Sequence, residues 1–252
     1  MILDERFEAK ALLTGASGFV GGRLKEALVE AGADVIAIRR KSSPPPKEDG
    51  ARSVVADYAD VDGVTQVKSK EKADYVCVVA GVTKGVSYED FQRGNVLPTR
   101  NLLQALEAAH PQVKRYLMVS SLASYGPSSK DKPLREDDPR APIEHYGSSK
   151  REAEDVLRDE ARAVAWTIIR PGGVYGPGDG DYFNLFQEVS RGRNVYFGNR
   201  ERLFSAVYVD DCVRAIVAAA ASDSTVGKGY FVCDGKPISW QDFQQLIVDA
   251  SG

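Results

Sequence analysis

A tyrosine and a lysine that could act together in proton transfer lie four residues apart, in the segment Tyr146-Gly147-Ser148-Ser149-Lys150. Residues four apart on a helix share one face. A free tyrosine has a pKa of about 10 and is a poor base at neutral pH, but a nearby cation lowers such a pKa by about 1–3 pH units. A phenol adjusted in this way can exchange a proton with a hydroxyl or a carbonyl group. An exposed surface pair is the alternative, so the interpretation depends on what surrounds these residues.

Serine hydroxyls that could join this pair follow the apolar run Lys114–Ser120, which predicts a buried strand. The chain continues there as Ser120-Ser121-Leu122-Ala123-Ser124-Tyr125-Gly126. Ligands of parallel-sheet folds bind outside the carboxyl ends of the strands. Ser120, Ser121 and Ser124 are therefore candidates for a hydroxyl that faces a ligand.

A glycine-rich turn near the N-terminus predicts a phosphate-binding loop. Gly15 and Gly18 lie between the apolar run Lys10–Leu13 and the segment Phe19–Ala31, whose apolar residues recur at helical spacing, and Gly21 lies at the start of that segment. Such a turn directs backbone N–H groups and the positive end of the helix dipole at a phosphate, and its glycines allow close approach. The glycine spacing is G-x-x-G-x-x-G and differs from the general G-x-G-x-x-G fingerprint, so the motif alone would also fit an ordinary glycine loop. Its position between a strand and a helix favours the phosphate-binding loop.

Short runs rich in Val and Ile alternate with segments of helical periodicity. The further strand-like runs are Asp34–Ile38, Ser53–Ala56, Asp74–Val79 and Val164–Ile169, and the further helix-like segments are Val61–Lys72, Asn95–Ala109 and Tyr146–Ala161. This alternation predicts an α/β fold of the Rossmann type, a doubly wound parallel sheet with helices on both faces. Near-continuous apolar strands are typical of a sheet that is covered on both sides.

The chain changes character after Arg170. Pro171–Gly178 is too rich in proline and glycine for a helix or a central strand. Beyond it we predict helices at Tyr182–Arg191, Asp210–Ala221 and Ser239–Ala250, and strands at Val195–Gly198, Phe204–Val209 and Gly229–Cys233. Residues 1–170 are expected to form the dinucleotide-binding core. Residues 171–252 are expected to be mainly a small substrate-binding part that is interleaved with the core and could lack a last C-terminal piece.

The composition excludes several classes of protein. The chain has 252 residues, 43% of them hydrophobic and 27% charged, which is ordinary for a soluble globular protein. The net charge of -3 does not provide the excess of positive charge that nucleic-acid binding requires. Three distant cysteines and two histidines argue against a metal site, and each cysteine, in an apolar run, is expected to be a buried hydrophobe. A charged N-terminus and the lack of about 20 consecutive apolar residues predict a cytoplasmic protein with no membrane contact.

Several of these features occur together in one known group. The chain resembles the extended short-chain dehydrogenase/reductase superfamily, the NAD(P)-dependent epimerase/dehydratase group. The segments that carry the resemblance are Thr14–Gly21, Asn95, Ser-Ser-x-x-x-Tyr-Gly, Tyr146/Lys150 and Arg170-Pro171-x-x-Val174-Tyr175-Gly176-Pro177. The resemblance covers nearly the whole chain, in the same order, as far as Val209-Asp210-Asp211. It implies an enzyme that binds a nicotinamide dinucleotide and a small-molecule substrate, with a homodimer as an open alternative.

The resemblance also implies a role for each matching residue. Tyr146 is then the catalytic acid/base, Lys150 holds the nicotinamide ribose and lowers the pKa of Tyr146, and Ser121 supplies the catalytic hydroxyl. Asn95 braces the backbone of the site, and Asp57 contacts the adenine. The other cofactor-binding positions that it implies are Gly15, Ser17, Gly18, Phe19, Val20, Ala80, Gly81, Pro171, Gly173 and Val174. Ser124 and Phe204 join Ser121 and Tyr146 as the expected substrate residues.

The end of the second predicted strand indicates which dinucleotide binds. An NAD enzyme is expected to carry Asp or Glu there for the ribose 2′-hydroxyl, whereas this chain has Arg39 and Arg40. Guanidinium groups suit a 2′-phosphate through charge-assisted hydrogen bonds. We therefore predict that NADP is the cofactor, with NAD as the alternative. The two arginines could instead belong to a solvated basic loop that binds no ligand.

Two departures from the sugar-nucleotide members bear on the substrate. Those members usually have Asn two residues before the Tyr-Gly-Pro triplet and Arg five residues before the V-x-D valine, and both contact the substrate diphosphate. Gly173 and Phe204 stand in those places here, although Arg200 and Arg202 are near in sequence. We therefore expect an oxidoreductase acting on a secondary alcohol or ketone. The alternatives are a nucleotide-sugar epimerase or dehydratase and an inactive dinucleotide-sensing protein.

Overall fold

Seven parallel strands form the main sheet of the protein. The computed structural model describes residues 6–43, 49–57, 60, 63, 71–129, 131–194, 196 and 198–251. The strands are β1 (Lys10–Thr14), β2 (Asp34–Arg39), β3 (Arg52–Val55), β4 (Tyr75–Val78), β5 (Arg115–Val119), β6 (Trp166–Pro171) and β10 (Lys228–Val232). Their spatial order is β10-β6-β5-β4-β1-β2-β3. All neighbours are parallel, which confirms the doubly wound sheet.

Helices cover both faces of this sheet. Within the described part of the chain they are α1 (Phe19–Glu30), α2 (Tyr88–Phe91), α3 (Leu97–Ala109), α4 (His145–Glu160), α5 (Asp181–Ser190), α6 (Val209–Ala221) and α7 (Trp240–Ser251), with a π-helical segment, Gln92–Val96, between α2 and α3. One apolar core joins the sheet to α3 and α4, and a second joins its other face to α1 and α6. The predicted helix Val61–Lys72 falls almost entirely outside the described residues.

Alternate strand residues belong to opposite cores. Leu12 and Ile36 pack under α3 and α4, whereas Ala11, Leu13 and Val35 pack under α1 and α6. Strands that are covered on both faces are apolar at most positions, because successive side chains point to opposite sides. All of β5 is buried as a result. The buried Arg115 of β5 and Arg170 of β6 are exceptions that have polar partners. The chain reverses its winding between β1 and β4, and a ligand crevice opens at that point in such folds.

The C-terminal part adds two small sheets and a third apolar cluster. The strands β7 (Gly173–Tyr175) and β9 (Ala206–Tyr208) pair in parallel, and β8 (Leu203–Phe204) pairs with β11 (Ile238–Ser239) in antiparallel. The segment predicted as one strand, Phe204–Val209, is therefore divided between two sheets. Val195 and Phe197, from another predicted strand, lie outside the described residues. The segment after Arg170 also returns to the core, since β10 extends the main sheet and α6 covers one face of it.

Two details correct the sequence interpretation. Pro171 closes β6 rather than lying outside it, because a proline at the end of a strand leaves the preceding ladder intact. Cys77 and Cys212 are buried, and burial raises the pKa of each thiol to about 12, but Cys233 is exposed just beyond β10. In the part of the chain that the structure describes, no helix combines the length and the apolar character that a membrane span requires.

Candidate active site

The turn that follows β1 lies against the end of β4. The hydroxyl oxygen of Thr14 accepts hydrogen bonds from the N–H groups of Val79 and Ala80, at 3.2 and 3.1 Å. Gly15 has a φ of +75°, and a Cβ there would lie 2.6 Å from the nitrogen of Ala80. Only glycine fits this close approach of two backbones. The contact brings together the phosphate-loop glycine and Ala80, which the sequence assigned to the same site.

The start of α1 is prepared for an anion. Gly18 is the N-cap of this helix, no side chain caps it, and its first turn contains no acidic residue. A helix N-terminus with free N–H groups carries partial positive charge and binds phosphate. A cavity of about 420 Å³ opens against this end of the helix. It is lined by Ser17, Gly18, Phe19, Arg39, Pro177 and Gly178, among others. The cavity, the bare helix end and the glycine turn fit the pyrophosphate and ribose of a dinucleotide.

The far side of this cavity contains an arginine that is partly unsatisfied. Arg39 ends β2, and its buried Nε has no hydrogen-bond partner among the residues that the structure describes. A buried donor without a partner is costly, so this atom is suited to receive an anionic ligand. Arg40 is exposed, and its backbone N–H donates to the hydroxyl oxygen of Ser43. Asp57 lies exposed two residues beyond β3.

The hydroxyl of Ser121 is oriented by the backbone that follows it. Ser121 caps a short 3₁₀ turn, Leu122–Ser124, and its Oγ accepts a hydrogen bond from the N–H of Ala123 at 3.2 Å. A serine hydroxyl has one hydrogen, which is then free to be donated elsewhere. The Ser121 hydroxyl also hydrogen-bonds to the Tyr146 side chain, and this second bond acts to lower the pKa of the phenol. The structure therefore brings Ser121 and Tyr146 together.

The electrostatics of Tyr146 differ from the sequence expectation. Burial has the largest effect and raises the pKa of Tyr146 above its usual 10, and the opposing influence comes from Ser121 rather than from Lys150. Lys150 is itself buried, and its Nζ donates to the carbonyl oxygen of Val119 at 3.1 Å and lies 6.0 Å from the centre of the Tyr146 ring. Burial lowers the pKa of Lys150 to about 8. The pKa of Tyr146 is therefore raised here, because desolvation disfavours the phenolate. The lowering of this pKa by Lys150 stays a prediction.

Asn95 links the loop after β4 to the helix that carries Tyr146 and Lys150. Its Oδ1 accepts from the N–H of Val82 at 2.7 Å, and its Nδ2 donates to the carbonyl of Val82 and to the Oγ of Ser149. Asn95 lies in the π-helical segment, and Pro98, three residues later, has no N–H for the normal helical ladder. A Cβ on Gly81 would lie 3.0 Å from both Asn95 Oδ1 and Lys150 Nζ, so this glycine also lies at the site.

The remaining predicted residues lie on β6, β7, β8 and α1. Pro171 ends β6, and Val174 packs against the core through β7. Gly173 donates its N–H to the carbonyl of Ser205, and the Tyr182 hydroxyl occupies the space of a side chain at position 173. Phe204 stacks on Trp240 with ring centres 4.2 Å apart, inside the third apolar cluster. Val20 packs against the core beneath α1, beside the cavity that Phe19 lines.

Sequence reasoning missed a buried polar cluster behind these residues. Ser124 is fully buried, and its hydroxyl contacts the carbonyl of Ser121 and the carboxylate of Glu154. Glu154 pairs with Arg170, and neither side chain is exposed. Two sequence positions could have indicated this cluster. Glu154 follows Lys150 by one helical turn, and Arg170 interrupts an apolar strand. No group of three side chains with metal-ligand chemistry occurs in the described ranges.

Comparison with known proteins matches most of this chain to one family model. The family model for the NAD dependent epimerase/dehydratase family matches residues 11–233. The 2-alkyl-3-oxoalkanoate reductase of Stenotrophomonas maltophilia (strain K279a) is 27% identical, over 96% of this chain and 76% of its own length. The UDP-glucose 4-epimerase of Vibrio cholerae is 30% identical over 94% of this chain and 74% of its own.

Other relatives differ in coverage. The ceramide reductase of Caulobacter vibrioides (strain NA1000 / CB15N) is 31% identical over 82% of this chain, but the match covers only 59% of that protein. The chain thus spans between about 54% and 76% of the first curated relatives it matches. Among solved structures, MoeE5 in complex with UDP-glucuronic acid and NAD superimposes with a TM-score of 0.83 at 26% identity, over 96% of this chain and 82% of its own.

Proposed function

Since the chain belongs to the NAD-dependent epimerase/dehydratase family, we propose that it transfers hydride between NADP(H) and a secondary alcohol or ketone. The observation that carries this proposal is the placement of Ser121, Tyr146 and Lys150 at the carboxyl end of β5. Ser121 faces the phenol of Tyr146, and Lys150 is anchored to the last residue of the strand. A dinucleotide-sensing protein without catalysis would not need this group.

The proton chemistry follows from the positions of these groups. When it is bound, the nicotinamide dinucleotide supplies or accepts the hydride. In the reductive direction, Tyr146 Oη gives its proton to the carbonyl oxygen of the substrate as that oxygen becomes a hydroxyl. Ser121 Oγ would then donate its one hydrogen to the same oxygen instead of to Tyr146, while it continues to accept from the N–H of Ala123. The ammonium of Lys150 would stabilise the phenolate left on Tyr146 and hold the ribose hydroxyls.

The preference for NADP is supported by Arg39. Its buried Nε has no hydrogen-bond partner among the residues that the structure describes, and the side chain lines the cavity at the N-terminus of α1. A 2′-phosphate would supply the missing acceptor through a charge-assisted hydrogen bond. The neighbouring Arg40 is exposed, and we assign it a weaker part in the same contact.

Nucleotide-sugar epimerisation is the second candidate function. The similarity to the UDP-glucose 4-epimerase, which extends over 94% of this chain, favours it. Against it, position 173 has no side chain, and Phe204 is engaged in stacking on Trp240. Neither residue offers a side-chain donor to a diphosphate. We therefore rank the reduction of a less polar carbonyl compound first.

The test combines binding with turnover. Thermal unfolding is followed with NADP, NAD, UDP-glucose and dTDP-glucose, because a ligand that binds only the native state raises its melting temperature. NADPH oxidation is then measured with a 3-oxoalkanoate and with a 3-ketosteroid, and UDP-glucose is assayed for its C4 epimer. Net oxidation of NADPH with either ketone supports the proposal. Conversion of UDP-glucose with no net change in nicotinamide absorbance would replace it with epimerisation.

A further inference from the structure

A fully buried ion pair lies behind the candidate catalytic residues. Glu154 and Arg170 are both 0% exposed, and Arg170 Nη2 donates to Glu154 Oε2 at 2.8 Å while its Nε donates to both carboxylate oxygens at 3.0 and 3.1 Å. The guanidinium lies 5.0 Å from the centre of the Tyr125 ring. Taking two charges out of water is costly, and such pairs often add little net stability. The position of this pair beside the site therefore suggests a task other than stability.

The carboxylate of Glu154 connects to both sides of Ser121. The hydroxyl of Ser120 donates to Glu154 Oε1 at 2.6 Å. The hydroxyl of Ser124 lies 3.0 Å from the same oxygen and 2.9 Å from the carbonyl oxygen of Ser121. The residue before Ser121 and the residue three after it are thus held by one buried group. This arrangement fixes the backbone from which the Ser121 hydroxyl is presented.

The same glutamate belongs to the helix that carries the other two catalytic candidates. Tyr146, Lys150 and Glu154 follow one another at intervals of four residues on α4 and share one face of that helix. Glu154 therefore spans the gap between the strand end that positions Ser121 and the helix that positions Tyr146. Catalysis is sensitive to such gaps, since a displacement of about 1 Å can reduce a rate about a hundredfold.

We propose that Glu154 is a positioning residue, whose carboxylate joins the Ser121 segment to the helix that carries Tyr146 and Lys150. This inference rests on the proposed function of the same site. Nothing in it requires Glu154 to contact the substrate or the dinucleotide.

The position of Glu154 one helical turn after Lys150 also has an electrostatic consequence. Burial lowers the pKa of Lys150, and the negative charge of Glu154 opposes that effect. The other titratable or charged groups that face this pair are Tyr146 on α4, Arg170 on β6 and Arg140, whose Nη1 lies 3.3 Å from Glu154. Removing the charge of Glu154 would therefore shift the deprotonation of Lys150 to lower pH.

A matched control exists at the opposite end of the same two strands. Arg115, at the start of β5, is buried, and its Nη1 donates to the hydroxyl oxygen of Thr167 on β6 at 3.2 Å. Thr167 is fully buried and donates to the carbonyl of Thr225 at 3.0 Å. This cluster also joins a buried arginine to a buried hydroxyl, but it lies at the amino ends of the strands, away from the crevice. Thr167→Val and Ser120→Ala therefore each remove one buried hydroxyl from comparable surroundings.

The experiment compares Ser120→Ala, Glu154→Gln and Thr167→Val with the wild type in the full chain. Turnover and KM are measured with the ketone that the wild type reduces, and the dissociation constant of NADP is measured by calorimetry from pH 7 to pH 10. We expect Ser120→Ala to lower kcat by about tenfold to a hundredfold at unchanged KM and NADP affinity. Thr167→Val, at a comparable loss of melting temperature, should keep kcat within about twofold. In Glu154→Gln, the rise of the NADP dissociation constant with pH should begin at a lower pH than in the wild type, because Glu154 raises the pKa of Lys150.

Each result decides the proposal. A kcat for Ser120→Ala within twofold of that for Thr167→Val would overturn it, and so would an unshifted pH dependence in folded Glu154→Gln. Should Glu154→Gln fail to fold because Arg170 is left unpaired, the comparison of Ser120→Ala with Thr167→Val decides alone. Failure of the wild type to bind NADP or to turn over any ketone would instead contradict the proposed function.

Discussion

The ammonium group of Lys150 donates a hydrogen bond to the carbonyl oxygen of Val119, 3.1 Å away. Val119 is the last residue of β5, so the contact ties the Tyr146 helix to the strand that leads into Ser121. The side chain of Lys150 is only 5% exposed, so its ammonium group is removed from solvent. A dinucleotide that binds here would meet an amine whose protonation is already sensitive to pH.

The affinity for NADP should decline above about pH 8. Burial lowers the pKa of Lys150 from its usual 10.5 to about 8, so the ammonium that would hold the ribose is lost as pH rises through this value. The dissociation constant should rise by up to about tenfold per pH unit above it. Calorimetric titration from pH 7 to pH 10 measures this dependence. Lys150→Met should bind more weakly at pH 7 and show no such rise, and a similar rise in that variant would exclude Lys150 as its source.

The same titration has a consequence for stability. The pKa of Lys150 is lower in the folded protein than in the unfolded chain, so the unfolded chain binds more protons between about pH 8 and 10.5. The contribution of this group to the free energy of unfolding therefore increases over that interval as pH rises. This contribution to stability is absent below the pKa that Lys150 has in the folded protein.

Tyr146→Phe should remove most turnover and leave dinucleotide binding nearly intact. The change deletes the hydroxyl that exchanges a proton and keeps the ring, which lies 6.4 Å from that of Phe91. General acid–base groups contribute about 10²- to 10⁴-fold to rates, and kcat should fall on that scale. Steady-state kinetics with the ketone that the wild type reduces, together with NADP titration, measure both quantities. Full activity in this variant would refute the assigned proton transfer.

Two residues, Gly15 and Glu154, show which parts of the site the sequence alone could predict. The phosphate loop with Gly15 was predictable, because strand, turn and helix are consecutive in the chain and each has its own periodicity. The partner of Gly15 at Ala80 was suggested only by resemblance, since the two residues lie far apart in sequence and meet only when β1 and β4 pair. Glu154 was missed for a related reason. Its environment is assembled from β5, β6 and the segment before α4, and no local pattern marks a carboxylate as buried.

The electrostatics of Tyr146 show a second limit. Helical spacing correctly indicated that Lys150 would lie one turn from Tyr146. Spacing could not indicate that burial would outweigh the nearby cation and raise the phenol pKa. Desolvation depends on every element packed around a group, so it becomes known only with the tertiary structure.

Arg39→Gln should weaken NADP much more than NAD. Arg39 is half-buried beside the cavity, and its Nε has no partner within the described residues. Hydrogen bonds to a charged group are worth about 1.5–3 kcal/mol, which corresponds to a loss of roughly 10- to 150-fold in NADP affinity. Arg40→Gln is the matched control and should have a smaller effect, because Arg40 is exposed. Equal losses for NAD and NADP in Arg39→Gln would contradict recognition of the 2′-phosphate.

Asp210→Asn should lower stability at neutral pH and make little difference in acid. Arg23 Nε donates to Asp210 Oδ1 at 2.7 Å, joining α1 to α6, and this bond lowers the pKa of Asp210 below its usual 3.8. Such a carboxylate stabilises the fold above its unfolded pKa and loses that effect as pH falls through its folded value. The free energy of unfolding at pH 7 should drop by about 1–2 kcal/mol, as measured by urea denaturation. Asp211→Asn, at the next and exposed position, should change it by less than about 0.5 kcal/mol.

Nucleotide sugars should bind weakly to the NADP-loaded protein, and a carbonyl compound of lower polarity should bind beside Ser121 and Tyr146. A diphosphate in the crevice needs charge-assisted donors, and those bonds are among the strongest that proteins make. Gly173 provides no side chain, and the space beside it is occupied by the hydroxyl of Tyr182. Phe204 is stacked on Trp240 and offers only an apolar ring.

Two arginines could change this outcome and provide its control. Arg200 and Arg202 lie close to Phe204 in sequence, and both are exposed. Calorimetric titration of the NADP-loaded protein with UDP-glucose and dTDP-glucose measures the binding directly. Dissociation constants above about 1 mM correspond to less than about 4 kcal/mol of binding and would support the ranking of the ketone first. Micromolar binding that Arg200→Gln or Arg202→Gln abolishes would reverse that ranking, because these side chains would then replace the missing donors at positions 173 and 204.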